Sequence, residues 1–281
     1  MLFTDTYICR LATNADRQEI LSGLNLFCTH QHLDWETLSD QIESDSVFLC
    51  FRNTRLCGIL SLTGSTTESQ WIKIFAIRSE SQKFLIWEKL FKFALSNGKT
   101  PTFYTIAFWD WYKKLIHDLP HYSAFDQIIT LDASGIEQIR NVNQTNPIRK
   151  IMPVESQKAY DLDRVAFRPP WQLEQNNLAS AIERSSISDC ILFENQFAGY
   201  ILADYDEFSA HLSRIAVHPN LSGQGLGSQL INHLFGKLLN KHVYVVTVNT
   251  QENNKASLAL YHKFGFELTG EKIPVYLYND T

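Results

Sequence analysis

A glycine-rich turn at residues 223–227, with the sequence Gly-Gln-Gly-Leu-Gly, constrains the fold of this chain more than any other segment. It follows an apolar run that ends at Val217 and is typical of a β-strand, and it precedes a stretch whose apolar residues recur with helical spacing. Glycine allows backbone N–H groups to approach a ligand closely, and a helix N-terminus adds positive partial charge. The turn therefore predicts an α/β unit that binds a pyrophosphate or a similar anion.

Dinucleotide folds, ATP-binding loops and coenzyme A sites all use such a turn. A dinucleotide site requires a GxGxxG spacing and an acidic residue about twenty positions later, where this chain has Asn249. An ATP loop requires Gly-Lys followed by Ser or Thr in the turn, and residues 223–228 do not contain it. The spacing favours a coenzyme A site, and a turn without a ligand is the alternative.

Strands and helices alternate through both halves of the chain. In the second half, strands are predicted at 147–153, 190–193, 197–204 and 211–217, and helices at 154–167 and 173–184. In the first half, strands are predicted at 7–12, 47–51, 56–62, 71–77, 102–108 and 125–131, and helices between 16 and 42, at 84–95 and at 111–119. The two halves share this order of elements but not their sequence.

An internal repeat of about 140 residues predicts duplication of one α/β unit. Coincidence is the alternative, because α and β elements alternate in many proteins. The polar stretch from Asp132 to Asn146 has the composition of a linker. We therefore predict a first domain at 1–133, a linker at 134–145 and a second domain at 146–281.

Composition limits the partners. The net charge is −5 and there is no run of Lys or Arg, which argues against nucleic acid as the main partner. No apolar run approaches the roughly 18 residues of a membrane span, and the start of the chain lacks the pattern of a secretory signal. A cytoplasmic protein that acts on a small or peptidic molecule, without nucleic acid or membrane, is expected.

Side chains that bind metals are also sparse. His30 and His32 flank one residue, but no acidic or cysteine partner completes a pattern, so no metal is predicted. The five cysteines form no closely spaced pair and are expected to be buried, reduced thiols. They are Cys9, Cys28, Cys50, Cys57 and Cys190.

Three motifs in the second half, HPN, SGQGLG and NKASLALYHKFGF, follow the strand Leu212–Val217 in this order. Together they resemble the GCN5-related N-acetyltransferase (GNAT) family from about residue 147 to the end. The first half shares only the element order, as in a tandem GNAT protein with a degenerate N-terminal half. The resemblance implies an α/β (α+β) fold of two GNAT-like units, each with a mixed, mainly antiparallel central sheet flanked by helices.

The resemblance also implies acetyl-CoA as co-substrate. In this family the strand before the turn binds the pantetheine arm, the turn binds the pyrophosphate, and an asparagine contacts the arm on its far side. The positions that match are Ile215, Ala216, Val217, Gly223, Gln224, Gly225, Leu226, Gly227, Ser228 and Asn254. The family usually begins the turn with Arg or Gln, whereas this chain has Ser222, so a lower coenzyme affinity is expected.

Acetyl transfer needs an unprotonated amine and a proton for the departing thiolate. Tyr261 lies in the family's position for the general acid, and packing with Phe264 and Phe266 is the alternative role. Trp171 is a candidate contact to the acceptor amine, or an anchor for the helices around it.

The sequence does not single out one residue as the general base. A glutamate found in one branch of the family is replaced here by Asn249, which cannot accept a proton. Surface roles are the alternative for each remaining candidate, and an α-amine with a pKa near 8 needs no dedicated base. The candidates are Asp204, Asp206, Glu207 and His211.

The corresponding turn of the first half reads RSESQK and contains no glycine. Side chains there would hinder the close backbone approach of a phosphate, so this half is predicted to have lost coenzyme binding. The sequence therefore predicts an N-acetyltransferase, monomeric or homodimeric, that acts on a primary amine of a small molecule, peptide or protein N-terminus. A non-catalytic acyl-CoA-binding sensor or scaffold is the alternative.

Overall fold

The computed structural model describes residues 5–32, 37–44, 46–66, 69–98, 102–138 and 143–279. The chain divides into two compact units. Unit 1 comprises Met1–Phe125 together with Pro274–Thr281, and unit 2 comprises Asp126–Ile273.

Unit 1 is built on a mixed sheet. Its strands are β1 (Tyr7–Leu11), β2 (Cys28–Gln31), β3 (Val47–Arg52), β4 (Arg55–Thr66), β5 (Ser69–Ile77), β6 (Thr102–Ile106) and the first residues of β7 (Tyr122–Ser134). Its helices are α1 (Arg17–Leu26), α2 (Leu38–Glu43), α3 (Lys83–Ser96) and α4 (Asp110–Asp118). The strand order is β1-β3-β4-β5-β6, and Val275–Asn279 pair with β6 at its other edge. Among the strand pairs of the described residues in this unit, only β5 and β6 are parallel.

The core of unit 1 lies on both faces of this sheet. Helix α3 buries Ile86, Leu90 and Phe91 against strand residues that include Phe48 and Phe75. These helix positions recur every three to four residues, which places them on one face of α3. On the opposite face, Ile20 of α1 belongs to a second cluster with strand residues of β3, β4 and β5.

Unit 2 repeats the layout. Its elements are β8 (Ile148–Lys150), α5 (Ser156–Ala166), α6 (Gln175–Arg184), β9 (Ile187–Phe193), β10 (Gln196–Tyr205), β11 (Ala210–Val217), α7 (Leu226–Leu239), β12 (Val245–Gln251), α8 (Lys255–Lys263) and β13 (Glu267–Asn279). The strand order is β7-β12-β11-β10-β9-β8. All neighbours are antiparallel except β11 and β12, so the expected mixed, mainly antiparallel sheets are confirmed.

Helix α7 packs against one face of the sheet of unit 2. Leu230, Leu234 and Leu238 are buried in a cluster that also contains Val246 of β12 and Leu131 of β7. The apolar residues whose spacing predicted this helix are therefore the ones that form its buried face. Residues 218–225 connect the end of β11 to the N-terminus of α7.

Two sequence predictions are wrong. Helices were predicted between residues 16 and 42 with no strand among them, but Cys28–Gln31 form β2 because they pair with β5. Asp132–Ser134 were expected to begin a linker, but they extend β7, which pairs with β12 from Ile128 to Ser134. Predicted linker residues 139–142 lie outside the described residues. The compact units also differ from the predicted domain ranges, because 126–133 belong to unit 2 and 274–281 to unit 1.

Candidate active site

The two parallel strands of unit 2 separate part of the way along their length. β11 pairs with β12 only from Ala210 to Leu212, opposite Val246 to Val248. β11 continues to Val217, and β12 continues to Gln251 along β7. A wedge-shaped cleft therefore opens after Leu212, with its apex beside the last paired residues.

One edge of this cleft presents backbone polar groups. The N–H of His218 donates to the carbonyl of Ala198 on β10 at 2.9 Å, and Ala216 lies opposite Tyr200. In an antiparallel pair, residues alternate in the side to which their N–H and C=O point. Ile215 and Val217 therefore direct these groups away from β10, toward the side that β12 has left.

The glycine turn lies where β11 leads into α7. Gly223 and Gly225 have φ angles of +80° and +76°, and Gly225 is the N-cap residue of α7. A β-carbon built on either glycine meets no atom within 4 Å. The first intrahelical bond runs from Gln229 N–H to Gly225 O, so the N–H groups of the first turn of α7 have no partner within the helix. The N–H of Gln224, just before the helix, donates to Leu221 O at 3.4 Å. The turn thus has the backbone and the space of an anion cradle.

Gly227 has a different role within the turn. A β-carbon there would lie 3.2 Å from Leu260 of α8, which is tighter than ordinary contact. The glycine is therefore needed for close packing of α7 against α8.

A lysine that sequence reasoning missed lies beside the cradle. Lys263 Nζ donates to Ser228 Oγ at 2.9 Å, and Ser228 is buried in the first turn of α7. Ser222, which replaces the usual Arg or Gln, is exposed, and its N–H donates to Pro219 O at 3.0 Å. The motif YHKFGF contained this lysine, but only the packing of α8 on α7 shows where its charge lies.

Asn254 and Tyr261 lie on or next to α8. Asn254 is the N-cap of this helix, because its Oδ1 accepts the Ser257 N–H at 3.2 Å. Tyr261 is 3% exposed, and its ring lies 5.5 Å from that of Phe266. Burial raises the pKa of Tyr261 to about 12, against the opposing hydrogen bond with Ser257. Its phenol therefore keeps its proton at neutral pH.

His211 lies at the apex of the cleft. It is opposite Asp204 on β10 and Thr247 on β12, and its Nδ1 is 2.8 Å from Thr247 Oγ1. Burial lowers the pKa of His211 from 6.5, although the charge of Asp204 opposes this. The imidazole is therefore neutral at pH 7.

The other predicted bases have structural partners or lie on the surface. Asp204 Oδ1 accepts the N–H and the hydroxyl of Ser186, at 2.8 and 3.1 Å. Asp206 Oδ1 accepts the N–H groups of Phe208 and Ser209, both at 2.8 Å, and these bonds lower its pKa. Glu207 is exposed on the same turn. Of the four candidates, the structure brings only His211 and Asp204 to neighbouring strand positions.

The face of β11 that carries His211 also holds the segment between α5 and α6. Arg214 Nη2 donates to Trp171 O at 2.8 Å, and its guanidinium lies 3.8 Å from the Phe167 ring. Arg214 Nε also donates to buried Asp163 at 2.6 Å, and Asp163 accepts the hydroxyl proton of Tyr200. Trp171 is thus fixed through its backbone to the strand that bears the candidate base.

Unit 1 contains a similar separation that is already filled. β5 pairs with β6 only at Gln70 and Trp71, so the parallel strands diverge after these residues. Strand β2 then pairs with Ile74–Ile77 of β5, on the edge that corresponds to Ile215 and Val217 in unit 2. His30 of β2 is fully buried and stacks on Tyr112, with ring centres 3.9 Å apart. The backbone groups of this edge are therefore already used.

Neither a metal centre nor a membrane-spanning helix is found in the part of the chain that the structure describes. Its His, Cys, Asp and Glu residues form no group of three or more that could hold a metal ion. None of its helices is both long and apolar enough to cross a bilayer.

The fold and the site together define an α/β protein with a cleft between two diverging parallel strands and an anion cradle at its end. Residues 156–266 match the profile of the Acetyltransferase (GNAT) family, so this part of the chain carries a GNAT domain. The family resemblance of the motifs is thereby confirmed, and the match supports an acyltransferase.

Known proteins similar to this chain agree with the assignment. The ribosomal protein bS18-alanine N-acetyltransferase of Escherichia coli K12 is 26% identical over 121 residues, which cover 43% of this chain and 80% of that protein. A tandem GNAT protein from the clavulanic acid biosynthesis pathway has a TM-score of 0.66 at 14% identity, covering 97% and 98% of the two chains. A GCN5-related N-acetyltransferase from Sphaerobacter thermophilus has a TM-score of 0.59 at 12% sequence identity, and the match covers 96% of this chain and 95% of that one. At these identities the two structures show the fold alone.

Proposed function

We propose that unit 2 is an acetyl-CoA-dependent N-acetyltransferase for a primary amine of a small molecule, a peptide or a protein N-terminus. One observation carries the proposal: the open edge of β11 leads from His211, at the apex of the cleft, to the glycine cradle of α7. A linear ligand with a reactive group at one end and phosphates at the other matches this path.

The residues of the path fit acetyl-CoA. Backbone groups of Ile215 and Val217 would hold the amides of the pantetheine arm, and Asn254 would face it from α8. Gly223 and Gly225 leave room for the phosphates, and Lys263 beside Ser228 adds positive charge that Ser222 does not supply. When bound, acetyl-CoA would supply an activated thioester at the apex.

His211 is proposed as the general base. The hydroxyl of Thr247 donates to Ala210 O at 3.3 Å, so Thr247 Oγ1 accepts the proton on His211 Nδ1. This arrangement holds the neutral imidazole in one tautomer and makes Nε2 the proton acceptor. A base with a pKa below 6.5 is unprotonated at neutral pH and can take a proton from an amine that has attacked.

Tyr261 is proposed as the general acid. Its pKa of about 12 means that the phenol bears its proton throughout the neutral range. Transfer to a thiolate whose conjugate acid resembles cysteine, near 8.5, is uphill in water. The phenol would therefore first stabilise the developing thiolate by a hydrogen bond and donate fully only as the thiolate departs.

The test is consumption of acetyl-CoA, followed by free-thiol release, over a panel of small amines and of peptides with free N-termini. We expect turnover on at least one amine and none by a Gly225→Trp variant, whose indole would fill the cradle. Saturable coenzyme A binding without turnover on any amine would contradict the enzyme and favour an acyl-CoA sensor. Absence of any coenzyme A binding would contradict both.

A further inference from the structure

Three cysteines that are distant in sequence meet in the sheet of unit 1. Cys9 lies on β1, Cys50 on β3 and Cys57 on β4, which are neighbouring strands in this order. All three side chains lie in or against the core cluster that α3 covers. None of them has a role in the proposed acetyl transfer, which takes place in unit 2.

Cys9 and Cys50 are directly opposite each other in the antiparallel pair of β1 and β3. In the same register, Ala12 N–H donates to Val47 O at 2.9 Å and Asn53 N–H donates to Thr6 O at 2.8 Å. Hydrogen-bonded and non-hydrogen-bonded positions alternate, so Cys9 and Cys50 form a non-hydrogen-bonded pair. Such pairs have Cα atoms about 4.5 Å apart, which is within the range that a disulfide spans.

Cys57 contacts the same central thiol. The register between β3 and β4 shifts beside Cys50, so that Cys57 has no direct partner on β3. Its thiol donates to Cys50 O at 3.2 Å. Hydrogen bonding by Cys50 lowers the pKa of both Cys9 and Cys57 and raises that of Cys50 itself.

The three thiols differ in access to solvent. Cys50 and Cys57 are 0% and 4% exposed, whereas Cys9 is half-buried. The positive charge of Lys89 on α3 further favours the thiolate of Cys9. An oxidant arriving from solvent therefore meets Cys9 first. A shared metal ion is not favoured, because no metal-holding group occurs among the residues described.

We propose that Cys9 and Cys50 form a hydroperoxide-reactive dithiol site that oxidises to a cross-strand disulfide. The Cys9 thiolate attacks the peroxide oxygen, which gives a sulfenic acid at Cys9 and releases hydroxide, or an alkoxide from an organic hydroperoxide, which water protonates to the alcohol. The Cys50 sulfur then attacks the Cys9 sulfur and loses its proton, so the S–S bond forms and water leaves. Two electrons pass from the thiols to one peroxide.

Mass spectrometry of the full-length reduced protein tests this site. The protein is titrated with hydrogen peroxide, denatured and alkylated, and its intact mass and peptide map are read. Before oxidation all five cysteines should be alkylated. After it, two labels should be lost, with Cys9 and Cys50 in one cross-linked peptide pair that dithiothreitol separates.

Variants identify the pair. Cys9→Ser and Cys50→Ser should each abolish the cross-link, whereas Cys57→Ser and the matched control Cys28→Ser should retain it. Because Cys50 is fully buried, circular dichroism checks the fold of its variant, and the half-buried Cys9→Ser carries the test by itself. A cross-link between Cys50 and Cys57, irreversible oxidation of Cys9 without a cross-link, or five unchanged thiols would each overturn the proposal.

Discussion

Nδ1 of His211 lies 2.8 Å from Oγ1 of Thr247, one residue before their two parallel strands stop pairing. The same hydroxyl is 3.3 Å from Ala210 O, so its own proton is used there. We propose that the imidazole donates from Nδ1 to this hydroxyl and keeps Nε2 as an acceptor. The apex of the cleft is thus also the place where a neutral imidazole contacts the neighbouring strand.

Replacing His211 with Gln should lower kcat by about 10²–10⁴-fold, the usual contribution of a positioned general base. The proposed base acts in its neutral form and the pKa of His211 lies below 6.5, so wild-type kcat should fall as the pH drops through that lower value. The acid limb should be missing from the kcat profile of the variant. An unchanged profile in His211→Gln would exclude His211 as the base.

Thr247→Val should have a smaller effect. Valine keeps the shape but cannot accept the Nδ1 proton, so the loss is about one hydrogen bond, roughly 0.5–1.5 kcal/mol. We expect kcat to fall about two- to tenfold, with KM for acetyl-CoA little changed. Thr247→Ser keeps the hydroxyl and should recover most of the rate, whereas equal losses in both variants would indicate a packing effect.

Tyr261→Phe separates chemistry from packing at the same position. The ring contact with Phe266 is kept and only the hydroxyl is lost. The free energy of unfolding, measured by thermal denaturation, should therefore change by no more than about 1 kcal/mol. The acid role predicts a fall in kcat of about 10²-fold or more. Since its pKa is about 12, the phenol keeps its proton well above neutral pH, and it should produce no basic limb below about pH 10. Turnover close to wild type would leave Tyr261 with a packing role alone.

Gly225→Ala tests the cradle against a matched glycine. Gly225 and Gly270 both have positive φ, +76° and +87°, and both have open space where a β-carbon would lie. Each alanine should therefore cost about 1–2 kcal/mol of stability through the left-handed backbone. Only Gly225→Ala places a methyl group in the cradle, so only it should weaken coenzyme A binding in a calorimetric titration. Equal affinities in the two variants would contradict the proposed cradle.

The local features of this protein could be predicted from the sequence. The turn at Gly223–Gly227 was visible because positive φ and close approach require glycine there, and α7 was visible because its buried residues follow the helical period.

Features that depend on pairing between distant strands could not be predicted. The contact of His211 with Thr247 follows from the register of β11 and β12, and the meeting of Cys9 with Cys50 follows from that of β1 and β3. A shift of one residue would turn each side chain to the other face of its sheet. Strand β2 is a further case, because Cys28–Gln31 become a strand only by pairing with β5.

Strand β2 leads to a prediction about stoichiometry. The edge of β5 that corresponds to the open edge of β11 is paired with β2, and buried His30 stacks on Tyr112 behind it. A pantetheine arm could bind there only by displacing this strand and exposing His30, so unit 1 should not bind coenzyme A. Calorimetry should give one coenzyme A per chain in the wild type and none in Gly225→Trp. If unit 1 were a second site, the wild type would bind two molecules and the variant would keep one.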